Sequence, residues 1–122
     1  MNEYIIREMI IEDLDPIMEI ESLSFTIPWS KDSFIYELNN NTLAKYYVSV
    51  IQVVFVGYIG LVKIVDEAHI TNIANHPKYR NMKIGKNLVK KIFQVCDSIN
   101  ITQLTLEVRK SNTAALKLYE KI

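Results

Sequence analysis

The stretch ITNIANHPKYRNMKIGKNLV, Ile70 to Val89, decides how this chain is read. An alternating apolar pattern runs to Asn75, breaks at His76-Pro77, crosses a basic loop and resumes at helical spacing from about Ile84. A strand, a loop and a helix start in that order suit an anion. The first helical N–H groups have no intrahelical partner, and the aligned peptide dipoles leave partial positive charge at that end. Gly85 would let the backbone approach a ligand closely. Within Lys78 to Lys91 sit Lys78, Arg80, Lys83, Lys86, Lys90 and Lys91 with no acidic residue between them, although the whole chain has net charge zero. The positive charge is therefore local. The same residues also read as a solvated basic helix face after an ordinary turn.

A second motif lies downstream. LTLEVRKSNTAALKLY, Leu104 to Tyr119, reads as a strand, a cap and a helix. Taken together, ITNIANHPKYRNMKIG and LEVRKSNTAALKLYEK resemble the GNAT superfamily of N-acetyltransferases, and more narrowly its RimI-type branch, which acetylates the N-terminal alanine of a small-subunit ribosomal protein. Pro28-Trp29-Ser30 after Ser24-Phe25 resembles that branch as well.

With 122 residues, 49% of them apolar, the chain suffices for one compact domain, residues 1–122, and is too short for two. Its single cysteine, Cys96, cannot form an intramolecular disulfide, which fits a reducing cytoplasm, and it reads best as a small buried apolar side chain. The start, MNEYIIRE, lacks the basic and apolar regions of a signal peptide. The longest apolar run, Val53 to Val62, is too short to span a bilayer as a helix, so a cytoplasmic protein with no membrane association is expected.

Along the chain, Tyr4 to Met9 reads as a strand. A helix opens at Asp13 or Asp15, tolerates Pro16 in its first turn and carries Ile17, Ile20, Leu23 and Ser24 at helical spacing. Ser30 caps a second helix whose apolar face is Phe34, Ile35 and Leu38. Ala44 to Val50 and Val54 to Ile64 read as antiparallel strands, although Ile51-Gln52-Val53 is a poor turn. Asp66-Glu67 offers a better turn before a strand from His69 to Asn75. A helix from about Ile84 to Ser98, a strand from Thr102 to Val108 and a helix opened by Ser111 or Asn112 follow. The expected class is α/β, a mixed sheet in the order β-α-α-β-β-β-α-β-α with helices packed on it. The resemblance implies two further strands. We therefore expect a C-terminally incomplete domain whose exposed edge at the fifth strand favours a homodimer.

Moving an acetyl group from a thioester to an amine needs a neutral amine, a held cosubstrate, donors for the oxyanion and a proton for the departing thiolate. The resemblance implies acetyl-CoA as cosubstrate and no metal. It assigns Glu107 as the base that frees an α-amine of ordinary pKa near ~8, and Tyr119 as the acid that protonates the thiolate. It places backbone donors for the oxyanion and the pantetheine arm at Ile73, Ala74 and Asn75, where the fourth strand would splay from the fifth. It puts the pyrophosphate at Asn81, Met82, Lys83, Ile84, Gly85 and Lys86, and a cofactor hydrogen bond at Asn112. Without it, Glu107 reads as a solvent-facing strand carboxylate, Tyr119 as a core tyrosine, Ile73 and Ala74 as core strand residues and Asn112 as an N-cap.

The loop departs from the family's pattern, since Lys83 stands at its first glycine and Asn81 at another position that is often glycine. If residue 83 needs positive φ, lysine costs on the order of 1 kcal/mol there, which its ammonium partly offsets at a phosphate. His69 and His76 have neither the spacing nor the cysteine partner of a metal site. Trp29 reads as a packing anchor, with Phe25 to Ser30 a candidate border for an acceptor peptide.

The leading expectation is acetyl transfer to a protein N-terminus, with a ribosomal protein as candidate acceptor. Two alternatives stay open: the same chemistry on a small amine, and a degenerate domain that binds CoA or a partner without catalysis. Direct nucleic-acid binding is disfavoured, because the chain is neutral overall and no aromatic platform accompanies the lysines.

Overall fold

The computed structural model describes residues 4–80 and 82–106. Five strands, β1 (Tyr4–Glu8), β2 (Ala44–Ile51), β3 (Val54–Ile64), β4 (Glu67–Asn75) and β5 (Gln103–Leu106), form one sheet in sequence order. The first three pairings are antiparallel, and β4 pairs with β5 in parallel. A parallel neighbour requires a crossover, which helix α3 (Ile84–Ser98) supplies. Helices α1 (Leu14–Ser24) and α2 (Lys31–Asn40) fill the gap between β1 and β2.

The two sheet faces carry separate cores. Tyr47, Val56, Ile59, Leu61, Ala68, Ile70 and Ile73 pack against Ile84, Leu88, Val89, Ile92 and Cys96 of α3. On the opposite face Tyr46, Val48, Val50, Tyr58 and Ala74 pack against Leu14, Ile17 and Ile20 of α1, with Phe25 and Phe34. Along β2 the faces alternate with the two-residue period of a strand, whereas in β3 a register shift opposite Ser49 and Val50 leaves Val56 as an extra residue, so that Val56 and Tyr58 lie on opposite faces. Among the described residues no helix is long and apolar enough to cross a membrane.

Local chemistry sets the helix ends. Ser30 caps α2 as expected, its Oγ accepting the Ser33 N–H at 3.1 Å. Before α1, the Asp13 carboxylate takes both guanidinium N–H arms of Arg7 at 2.8 and 2.9 Å, together with the Ile10 N–H at 2.9 Å. Burial alone would raise the Asp13 pKa, but these hydrogen bonds and the Arg7 charge outweigh it and hold the carboxyl below its ordinary value.

Two expectations need correcting. The turn before β4 is Val65-Asp66, and Glu67 already belongs to the strand. Leu23 points to solvent at 52% exposure, while Glu21 is fully buried in its place on α1. The turns and helix junctions also do without glycine. Gln52, Val65, Lys83 and Asn100 take φ of 56–60°, whereas no glycine has positive φ. Glycine serves close approach here instead: a Cβ on Gly60 would stand 2.4 Å from the Tyr46 ring.

Candidate active site

The β4-to-α3 junction forms the candidate anion cradle. His76 leaves β4 with its N–H still bonded to the Val56 carbonyl at 2.8 Å, and its Nδ1 accepts the Lys78 N–H at 3.2 Å. A 3-10 turn over Pro77–Tyr79 follows, closed by the Tyr79 N–H on the His76 carbonyl at 2.9 Å. His76 Nε2 lies 3.5 Å from Glu19 of α1, so this imidazole links the 3-10 turn to α1. Among the described residues no group of three His, Cys, Asp or Glu side chains could hold a metal ion.

Lys83 then takes the left-handed conformation, φ 60° and ψ 22°, and serves as N-cap of α3 with no side-chain hydrogen bond of its own. The positive φ considered for this position is therefore real, and so is its strain. No acidic residue occupies the first turn of α3. Lys78, Arg80, Lys83 and Lys86 are without an ion pair among the described residues. Met82, Lys83 and Lys86 are exposed, whereas Ile84 and Gly85 are buried.

Asn75 adds a feature that sequence reasoning missed. With its carboxamide turned so that each atom meets a complementary partner, its oxygen accepts the Gly85 N–H at 3.3 Å and its nitrogen donates to the Ala74 carbonyl at 3.2 Å. The Gly85 N–H is thus capped from β4.

Ile73, Ala74 and Asn75 pair with Ile59, Tyr58 and Gly57 of β3. Ile73 and Ala74 are buried at 3% and 7% exposure. On the other side of β4 the described register with β5 runs from Glu67↔Gln103 to Ile70↔Leu106. Asn81, Glu107, Asn112 and Tyr119 lie outside the described residues, as does the expected last helix.

The α1/α2 side carries buried polar chemistry. Glu21 accepts the Trp29 N–H at 2.7 Å and the Tyr58 hydroxyl, tying the loop after α1 to β3. Trp29 packs on Phe34 with ring centroids 5.1 Å apart, as a packing anchor should. The Tyr46 hydroxyl donates to Glu37 at 3.1 Å. Burial, then the Glu37 charge and hydrogen bond, push the Tyr46 phenol well above its ordinary pKa, so it stays protonated. An open groove of about 470 Å³, lined by Trp29, Asp32, Ser33, Tyr36 and Glu37, runs along α2 beside this loop. The one available signal for Glu21 was a carboxylate on the apolar stripe of α1. Cys96 is buried, and burial with the Asp97 charge raises its pKa, which leaves it a poor nucleophile.

The sequence profile of the acetyltransferase (GNAT) family matches residues 14–122. A Bacillus subtilis (strain 168) protein is 43% identical over 116 residues, covering 95% of this chain and 77% of its own length; its name, given provisionally, is ribosomal protein bS18-alanine N-acetyltransferase. The crystal structure of the Escherichia coli enzyme named for that activity superposes with TM-score 0.84 at 26% identity, covering 98% of this chain and 76% of its own. A PaiA N-acetyltransferase from Thermoplasma acidophilum, crystallised with coenzyme A, has the same fold, with TM-score 0.80 at 24% identity over 98% of this chain and 87% of its own.

Proposed function

The chain belongs to the GNAT acetyltransferase family, and from this premise we propose that it transfers an acetyl group from acetyl-CoA to the N-terminal α-amine of a protein, by direct attack in a ternary complex. The observation that carries this reading is the cradle itself. Strand β4 runs through cations that have no ion pair among the described residues, and a left-handed Lys83, into a helix N-terminus with no acid in its first turn. Such a site suits a pyrophosphate, so the residues present fit the cosubstrate.

In this reading Asn81 to Lys86 hold the pyrophosphate, with Lys78 and Arg80 adding charge, and Asn112 hydrogen-bonds the cosubstrate. Acetyl-CoA supplies an acyl group already activated as a thioester. The backbone of Ile73, Ala74 and Asn75 holds the pantetheine arm and donates to the developing oxyanion. Glu107 takes the proton of the attacking amine, a C–N bond forms, the C–S bond breaks and Tyr119 returns a proton to the thiolate. The roles of Glu107 and Tyr119 rest on the sequence motif. The names of the relatives favour a ribosomal protein with N-terminal alanine as acceptor, and the groove beside Trp29 gives its chain a place to lie.

Lys83 favours a second reading, a domain that binds CoA or a partner without catalysis. Titration calorimetry with acetyl-CoA, followed by rate measurements on an alanine-initiated peptide and on spermidine, separates the readings. We expect one-to-one binding and acetylation of the peptide alone. Binding without transfer to either amine would leave the non-catalytic reading.

A further inference from the structure

Asn72 on β4 is 3% exposed, and neither its Oδ1 nor its Nδ2 has a hydrogen-bond partner among the described residues. Buried carboxamides in native proteins are seldom left this way, and the exceptions call for a reason. Its direction is equally unusual. Ala68 and Ile70 face α3, and simple alternation would send residue 72 into the same apolar core. The β3–β4 register shifts between Gly60 and Leu61, so that Gly60 opposes Asn72 while Leu61 opposes Ile70, and Thr71 is the extra residue. This bulge turns Asn72 over. Its partner Gly60 lies beneath the Tyr46 ring, and Ala74, two residues on, packs in the α1/α2 core. Bulges that re-aim one side chain are common beside active sites.

The neighbouring phenols on that face are committed elsewhere, Tyr46 to Glu37 and Tyr58 to Glu21. Asn72 also immediately precedes Ile73 to Asn75, the segment assigned above to the oxyanion, and it faces the side on which the Trp29 loop lies. A carboxamide offers an acceptor and two donors in one plane, which matches the amine and first carbonyl of a polypeptide N-terminus. Its neutrality matters as well. A carboxylate here would stabilise the ammonium form and raise the amine pKa, whereas an amide oxygen accepts from the neutral nucleophile without doing so.

We propose that Asn72 orients the acceptor, its Oδ1 accepting a hydrogen bond from the α-amine and its Nδ2 donating to the first carbonyl oxygen. This rests on the protein N-terminus reading above. The test compares wild type with Asn72→Leu and Asn72→Asp on an alanine-initiated peptide, with spermidine as the second acceptor. Asn72→Leu should raise the peptide KM about tenfold, leave the acetyl-CoA KM unchanged and raise Tm by roughly 3 °C, because an unpaired buried amide is gone. Asn72→Asp should move the alkaline-rising limb of kcat, where the bound amine titrates, up by about one pH unit. A folded Leu variant with unchanged peptide KM overturns the proposal. If the Leu variant does not fold, an unshifted profile for Asn72→Asp overturns it equally. A wild-type enzyme that acetylates spermidine and ignores the peptide instead defeats the substrate reading, and the role of Asn72 falls with it.

Discussion

The two faces of the sheet are built on different rules. Against α3 the core is apolar apart from Ser49, which is fully buried with its hydroxyl unpartnered among the described residues. Against α1 and α2 the sheet encloses Glu21 and Asn72, and hydroxyls of Tyr46 and Tyr58 bonded to carboxylates. An apolar face needs only volume and pattern. A face holding buried polar groups must satisfy each of them, and on this face the Asn72 carboxamide has no partner among the described residues. In the proposed function the α3 face is the scaffold for the cradle at its helix end, and the α1/α2 face the side that selects the acceptor.

The sharpest way to break that division is to truncate one residue on each face. Leu88 is fully buried in the middle of α3, and Leu88→Ala should cost about 3 kcal/mol in urea denaturation, from lost transfer energy and the cavity left behind. Glu21→Gln keeps the shape of its side chain but presents an N–H where a donor already points, and it should cost about 2 kcal/mol. The kinetic consequence should differ in kind. Because Glu21 holds the Trp29 N–H at 2.7 Å, its variant should raise the peptide KM severalfold while acetyl-CoA binding stays as in wild type. A Glu21→Gln protein with both KM values unchanged would show that the loop after α1 has no part in acceptor binding, and the division of labour would fail on that face.

The same contrast explains what could be read from the sequence. Helix α3 was legible to the residue, Ile84–Ser98, because its apolar period is unbroken by buried polar groups. The strand order and the Ser30 cap were legible for the same reason: local pattern and tertiary packing agree. Leu23 was misassigned and Glu21 passed over because a period cannot tell which of two neighbouring helix positions the sheet will cover, and Glu21 is the one held inside by the hydroxyl of Tyr58. Asn72 was hidden by the bulge at Thr71, since one extra residue reverses every face that follows. The turns at Gln52 and Val65 carry no glycine, asparagine or aspartate at the positive-φ position, so nothing local announced them. Of the candidate site, the cradle could be read as a motif, but the Asn75 contact to Gly85 needed the distance between two elements.

The smallest expected effect concerns the one strained residue of the cradle. Lys83 sits at φ 60°, where a side chain costs on the order of 1 kcal/mol relative to glycine. Glycine at that position recovers this strain but loses more backbone freedom on folding, by about 0.5–1 kcal/mol. Lys83→Gly should therefore stabilise the fold by no more than about 0.5 kcal/mol, visible as a small rise in Tm. If the lysine is retained for its charge, the same variant should bind acetyl-CoA about threefold more weakly at low ionic strength, with the difference fading in high salt as the ammonium–phosphate attraction is screened. Tighter binding in the glycine variant at every salt concentration would mean that backbone geometry, rather than charge, limits this cradle. The α3 end would then owe its affinity to backbone geometry, in contrast to the polar groups buried on the opposite face.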